Sequence, residues 1–232
     1  MKMRPSKTSK DFPAPVLDAF DQYVHGFIDR REFLSRASVF AIGSVTAGSM
    51  LDGLNPQYAG AAEVSPDDRN LIIESKVFRS PGDWNGYLVK PAYPAKKGKL
   101  PAVLVIHENR GRNPYVEDVA RRLGLAGFIA FAPDGLTSFG GWPGNDDEGR
   151  EMMKKLDRAE MMKNWVAAAQ YLDRLRAAGN VGAVGFCYGG SVVNSLATKV
   201  SSLKAGVAFY GSAPDLTQVE KIKAEMQIHH GE

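Results

Sequence analysis

The sequence is poor in cysteine, with Cys187 alone among 232 residues. A single thiol excludes an intramolecular disulfide framework, and without a cysteine cluster a structural zinc site has no ligand set. Proline (13) and glycine (24) are too few and too scattered for a low-complexity or collagen-like chain. Charge of one sign is also lacking. Lys and Arg number 29 against 26 Asp and Glu, a formal +3. No long like-charge run occurs, so nucleic-acid binding has no electrostatic footprint. No stretch of about 18 uncharged apolar residues exists, which argues against a membrane-spanning helix in the mature chain. What is there, 44% hydrophobic and 24% charged residues, suits one α/β domain or two small ones.

The first sixty residues read as a targeting segment. Arg30-Arg31-Glu32-Phe33-Leu34 is followed by residues 37–51, which carry no charge, and then by the small-residue site Ala59-Gly60-Ala61. Charged region, short apolar region and cleavage site stand in the order of a secretory signal. The arginine pair with Phe33 and Leu34 resembles a twin-arginine export signal, and dilution by Gly, Ser and Thr suits that route. Cleavage after Ala61 leaves the 171 residues 62–232, with export to the periplasm expected. If the signal is not used, the chain stays in the cytoplasm. The alternative is an amphipathic helix over about 16–36, since Val16, Phe20, Val24 and Phe27 keep helical spacing, followed by a surface loop.

From residue 71 onward, strands alternate with helices. Leu71–Phe78 and Trp84–Val89 flank the turn signal Ser80-Pro81-Gly82-Asp83 and predict an antiparallel hairpin at a sheet edge. Ala102–Ile106, Phe128–Ala132, Val181–Phe186, Ala205–Tyr210 and Met226–His229 predict further strands. The apolar runs at 102–106 and 128–132 suit strands covered on both faces. Helices are expected from Asn113-Pro114 to Leu125, over about 147–178, and over 191–199. The alternation predicts a mostly parallel sheet with helices on both faces and an N-terminal antiparallel hairpin.

Gly185-Phe186-Cys187-Tyr188-Gly189-Gly190 joins a predicted strand to a predicted helix. It has the G-x-S-x-G pattern of a nucleophile elbow, with Cys in place of Ser. The tight turn leaves no room for Cβ atoms beside the nucleophile, and the helix N-terminus favours the thiolate. The competing reading is a buried core cysteine; the glycine spacing and the strand–turn–helix context weigh against it. His107-Glu108-Asn109-Arg110-Gly111 ends the strand 102–106, so both motifs should open onto one crevice. An oxyanion hole would take the Tyr188 N–H and a second from the 107–111 loop, with Glu108 or Asn109 as supplier. For His107 the residues suggest only a packed or hydrogen-bonded strand-end imidazole.

Residues 105–111 (Val-Ile-His-Glu-Asn-Arg-Gly), 118–123 (Asp-Val-Ala-Arg-Arg-Leu), 132–134 (Ala-Pro-Asp) and 185–190 together resemble the dienelactone hydrolase family, the carboxymethylenebutenolidases. The resemblance runs over about 70–231 and implies an α/β-hydrolase fold. It also implies hydrolysis of a small-molecule ester or lactone through a cysteinyl acyl-enzyme; no cofactor, metal or nucleic-acid partner is expected. Residue by residue, it makes Cys187 the nucleophile, Glu108 the carboxylate that helps deprotonate it, and Tyr188 and Asn109 the oxyanion-hole donors. Arg150 falls in the region where the family holds a substrate carboxylate.

Chain order on this fold is nucleophile, acid, histidine. The acid's strand corresponds to Met226–His229, so the family's acid and histidine find no positions before Glu232, and neither His229 nor His230 sits where the histidine belongs. The expectation is an incomplete α/β-hydrolase domain over 62–232, lacking its last strand and helix, with an unpaired, aggregation-prone edge and impaired turnover. A non-catalytic remnant and an exported small-molecule binding module are the alternatives.

Overall fold

The computed structural model describes residues 8–55, 58, 62–80, 82–95 and 98–230. The expected cleavage site Ala59–Ala61, the turn residue Pro81 and the terminal Gly231 and Glu232 lie outside them. Two compact units divide the chain, Met1–Gln57 and Tyr58–Glu232.

In the first unit, the single helix expected over 16–36 is two. Helix α1 (Ala14–His25) stops at Gly26, whose φ of 80° is a left-handed cap, and α2 (Arg30–Ser38) starts where the Asp29 side chain accepts the Glu32 N–H. Arg30 and Arg31 are thus the first two helical residues of α2. The uncharged stretch 37–51 is not one run either. An Ile42–Val45 bridge and a Thr46–Ser49 capping box start α3 (Ala47–Leu54). Phe12, Val16, Ala19, Tyr23, Phe33, Ala37, Met50 and Leu51 form this unit's own apolar cluster. Among the described residues, no helix is long and apolar enough to cross a membrane.

The second unit carries a seven-stranded sheet: β1 (Leu71–Ser80), β2 (Gly82–Pro91), β3 (Leu100–Ile106), β4 (Ile129–Pro133), β5 (Ala178–Phe186), β6 (Ala205–Phe209) and β7 (Glu225–His229). Their order is β1-β2-β4-β3-β5-β6-β7. The hairpin β1–β2 is antiparallel and joins β4 antiparallel; the remaining pairs are parallel. This is the fold class that the alternation of the sequence predicts.

Helix α4 (Pro114–Leu125) begins at Asn113, whose side chain accepts the Val116 N–H at 3.1 Å. It covers one sheet face over β2, β4 and β3. Helices α6 (Arg158–Arg174) and α7 (Tyr188–Lys199) cover the other face. The crossover β3-α4-β4 steps one way along the sheet and β5-α7-β6 the other. Right-handed crossovers therefore place their helices on opposite faces.

The helical stretch expected over 147–178 is interrupted. Helix α5 (Asp146–Lys154) ends at Lys155, and α6 restarts because the Asp157 side chain caps the Ala159 and Glu160 N–H groups. Helix α7 begins at Tyr188 rather than Ser191, because strand passes to helix through Cys187 alone.

Strand β7 forms the sheet edge. Beside it, the α4 face of β5 and β6 holds a cavity of about 560 Å³, lined by Tyr115, Val119, Val184, Phe186, Val207 and Phe209 among others. Rings run along this face, Phe186 on Phe209 at 5.1 Å and Phe209 on His229 at 4.6 Å between centroids, both stacked. Among the described residues of this unit, no helix covers this face of β6 and β7.

Candidate active site

Register brings the two motifs together. Strands β3 and β5 are parallel neighbours, with Ile106 opposite Gly185. Two residues further along each strand stand Glu108 and Cys187. Segments distant in sequence therefore emerge side by side at the carboxyl end of the sheet, where open α/β sheets bind ligands.

The turn at Cys187 is as tight as the glycine pattern requires. Cys187 has φ 54° and ψ −112°, a conformation that L side chains rarely adopt. It is half-buried, its N–H donates to the Phe209 carbonyl at 3.0 Å, and its carbonyl accepts the Ser191 N–H at 3.2 Å. A Cβ on Gly185 would collide with the Gly189 carbonyl, and one on Gly190 with the Tyr210 carbonyl. One on Gly189 would strike the carbonyls of Ile106 and His107. The start of α7 thus packs directly on the backbone that leads into Glu108 and Asn109. The strained backbone is braced from the β6 side as well. Tyr210 has φ 48° and donates its N–H to the His229 carbonyl at 2.7 Å, and a Cβ on Gly211 would meet the Cys187 carbonyl at 2.6 Å.

Tyr188 follows the thiol as the first residue of α7, so its N–H belongs to the unbonded first turn of the helix. Its phenol is buried, which pushes its pKa up. Its oxygen accepts the Trp165 Nε1–H at 3.0 Å, and the Arg158 guanidinium lies 4.8 Å from the ring centroid. The side chain is thereby tied down on the core side of α7.

Glu108 sits in a polar cluster that the sequence showed only in part. Asn113 Nδ2 donates toward both carboxylate oxygens, at 3.4 and 3.3 Å, and to the Tyr58 hydroxyl at 3.0 Å. The Tyr58 hydroxyl donates to Asp146 at 2.8 Å, and Arg110 Nη1 donates to the same oxygen at 2.8 Å. Burial, then the Asp146 carboxylate beside it, raises the Tyr58 pKa well above its usual range. Trp142 meets the Tyr58 ring edge-on at 6.0 Å. Asn113 was legible only as a helix cap. Tyr58 and Asp146 carry no motif, and Tyr58 stands on the far side of the expected cleavage site.

Asp134, buried at the end of β4, gathers the surrounding loops. Its carboxylate accepts the N–H groups of Arg112 (3.3 Å), Leu136 (3.0 Å) and Trp142 (3.1 Å). His107 is fully buried. The Gly135 N–H donates to its Nε2 at 3.0 Å, and its Nδ1 lies 2.6 Å from the Glu108 carbonyl. A ring whose Nε2 accepts must carry its proton on Nδ1, so Nδ1–H donates to that carbonyl. Burial lowers the His107 pKa, outweighing the nearby Asp134 carboxylate. Asn109 begins the turn after His107-Glu108 and is half-buried. Arg150, on α5, is buried and paired with Asp147 one turn earlier.

A family model described as "Dienelactone hydrolase family" matches residues 84–232, well over half of the chain. A second, described as "YqhI-like", matches residues 3–42. "Putative hydrolase fragment YghX" of Escherichia coli K12 is 53% identical over 116 residues, which cover 49% of this chain and 97% of that protein. A "Putative carboxymethylenebutenolidase" of Synechocystis is 30% identical over 170 residues, covering 63% of this chain and 65% of its own length. The chain spans less than two thirds of this and the other carboxymethylenebutenolidase relatives it matches. The solved structure "m3DLH" superposes with a TM-score of 0.61 at 27% identity, covering 70% of this chain and 69% of that one.

Two outcomes follow from the geometry. Gly189→Ala should cost about 1–3 kcal/mol, read as a lower urea midpoint, because its methyl meets backbone carbonyls that cannot rotate away. Second, unfolded histidine titrates near about 6.5, whereas folded His107 stays neutral to lower pH. Below that point the unfolded state binds the extra proton. Stability is therefore full above it and declines as pH falls toward the folded value. Urea midpoints measured between pH 7 and pH 5 should fall, and fall less steeply in His107→Asn.

Proposed function

The chain belongs to the dienelactone hydrolase family, and from that premise we propose that it attacks an ester or lactone with Cys187 and carries the acyl group as a thioester. The observation that carries this reading is Cys187 held at φ 54° between β5 and α7. The pairing of Ile106 with Gly185 adds support, since it brings Glu108 to the neighbouring strand end.

The step balances on residues of this chain. The thiol proton passes to the Glu108 carboxylate, and the thiolate sulfur bonds to the acyl carbon. The carbonyl electron pair moves to oxygen, which collects the N–H groups of Tyr188 and Asn109. Each donor of this kind is worth about 3 kcal/mol at the transition state. Collapse breaks the carbon–oxygen bond, and the leaving alkoxide recovers the proton from Glu108. Water then adds to the thioester, releasing the carboxylic acid and the thiol.

Deacylation is the slow half of this reading. Within Tyr58–Glu232, His107 has both ring nitrogens engaged. His229 ends β7 and His230 follows it, two strands and about 10 Å from β5. An activated water is therefore poorly served, and the acyl-enzyme should accumulate.

Incubating the 232-residue chain with p-nitrophenyl acetate tests this. The expected result is a burst of one equivalent of nitrophenol, an acetyl adduct on Cys187 by intact mass, and slow release. Cys187→Ala should abolish burst and adduct, and Glu108→Gln should slow the burst by about 10²-fold. A folded chain that gives no burst sinks the reading and leaves a binding module in its place.

Export through Arg30 and Arg31 belongs to the same proposal and is supported by the order of charged and apolar residues over 30–51. Cleavage after Ala61 would also remove Tyr58 from Asp146 and Asn113. Arg30→Lys with Arg31→Lys should hold the chain in the cytoplasm on cell fractionation. Equal distribution of variant and parent between the fractions would argue against export by this route.

A further inference from the structure

We infer that His107 is a positioning residue that aims the Asn109 N–H into the oxyanion hole. The inference rests on the acyl-transfer reading of Cys187 and deepens it. The argument starts from the planarity of the peptide bond. In a trans peptide the carbonyl of one residue and the N–H of the next point in opposite directions. The Glu108 carbonyl and the Asn109 N–H share one such plane. His107 Nδ1–H holds that carbonyl at 2.6 Å from within the core, where the imidazole is fully buried. The Asn109 N–H is thereby turned away from the core, toward the carboxyl end of the sheet where Cys187 stands.

The imidazole is itself fixed on every side. Its Nε2 accepts the Gly135 N–H at 3.0 Å, which ties the loop after β3 to the loop after β4. Trp165 meets the ring edge-on at 5.4 Å, and the Tyr188 ring lies 6.3 Å away. The fit is close, because a Cβ on Gly135 would come within 2.8 Å of the Met161 methyl and 2.9 Å of Nε2. The His107 carbonyl, in turn, is one of the atoms against which Gly189 packs. One side chain thus links the two backbone segments that supply the hole, through its ring on one side and its main chain on the other. A ring with both nitrogens engaged to backbone has no proton to exchange with substrate. Its contribution is direction: burial keeps the ring neutral, and the Gly135 N–H on Nε2 leaves the proton on Nδ1 to hold the carbonyl.

Two reactions of the same thiol separate this role from a general structural one. Acylation by p-nitrophenyl acetate builds a tetrahedral oxyanion and needs the hole, whereas alkylation by iodoacetamide is a displacement at saturated carbon and does not. In His107→Leu the acylation rate constant should fall by about 10²-fold, the lower range for loss of one oxyanion donor, with the alkylation rate within about twofold of the parent. His107→Asn, whose amide can still donate from near the Nδ1 position, should acylate within about fivefold of the parent. Gly135→Ala, which presses on the ring from the opposite side, should slow acylation by about 10-fold and keep alkylation unchanged; with His107→Asn it carries the test if His107→Leu does not fold.

Acylation at the parent rate in folded His107→Leu or Gly135→Ala overturns the inference. So does an equal fall of acylation and alkylation, or a His107→Asn as slow as His107→Leu. A parent chain that alkylates but never acylates overturns the acyl-transfer reading itself, a result distinct from all of these.

Discussion

The pairing of β3 with β5 is the constraint on which the site depends. Ile106 opposite Gly185 sets two strand ends level, so that Glu108 and Cys187 each stand two residues beyond that pair. A slip of one residue would reverse which side chains face the helices and would separate Glu108 from Cys187. The contact of Gly189 with the Ile106 and His107 carbonyls holds this register at the site itself. Three glycines around one cysteine are therefore three places where another part of the backbone comes too close for a side chain. The strain at Cys187 persists because these contacts, together with those of Tyr210 and Gly211, leave its backbone no other course.

Around that fixed pair, the remaining polar groups serve to hold backbone and carboxylate in place. Asp134 collects three N–H groups from two loops, and Asn113 joins a helix cap to Glu108 and Tyr58. Burying such groups is costly unless each finds partners, so a cluster of this kind specifies one arrangement of the loops. The uneven cover of the sheet is the counterpart. Helices α6 and α7 close one face, whereas on the other α4 leaves Val184, Phe186, Val207 and Phe209 around an open apolar cavity. The crevice with the thiol is thus well supported from the β3 side and from the α6–α7 face.

Much of this was legible from residues alone, and for identifiable reasons. Apolar runs marked β3, β4 and β5, Asn113-Pro114 marked the start of α4, and glycine spacing marked the elbow, since each rests on neighbours within a few residues. The breaks were less legible. Gly26 and Asp29 divide a stretch whose apolar spacing reads as one helix, and Asp157 does the same between α5 and α6. In both places a capping side chain outweighs the periodicity. Glu108 and Cys187 were found by motif, whereas Tyr58, Asp146 and the work of His107 had no pattern to announce them.

The sequence by itself determined the alternation of strand and helix, the strained turn at Cys187 and the two segments that meet beside it, because local sterics and short spacings encode all three. Only the tertiary structure decided which atoms those segments present to each other. The Glu108 carbonyl is held by a ring packed edge-on against Trp165, and its carboxylate by an asparagine that also reaches a tyrosine from before the first strand. Such contacts join residues dozens of positions apart, and their energies arise only when folding removes water from between them.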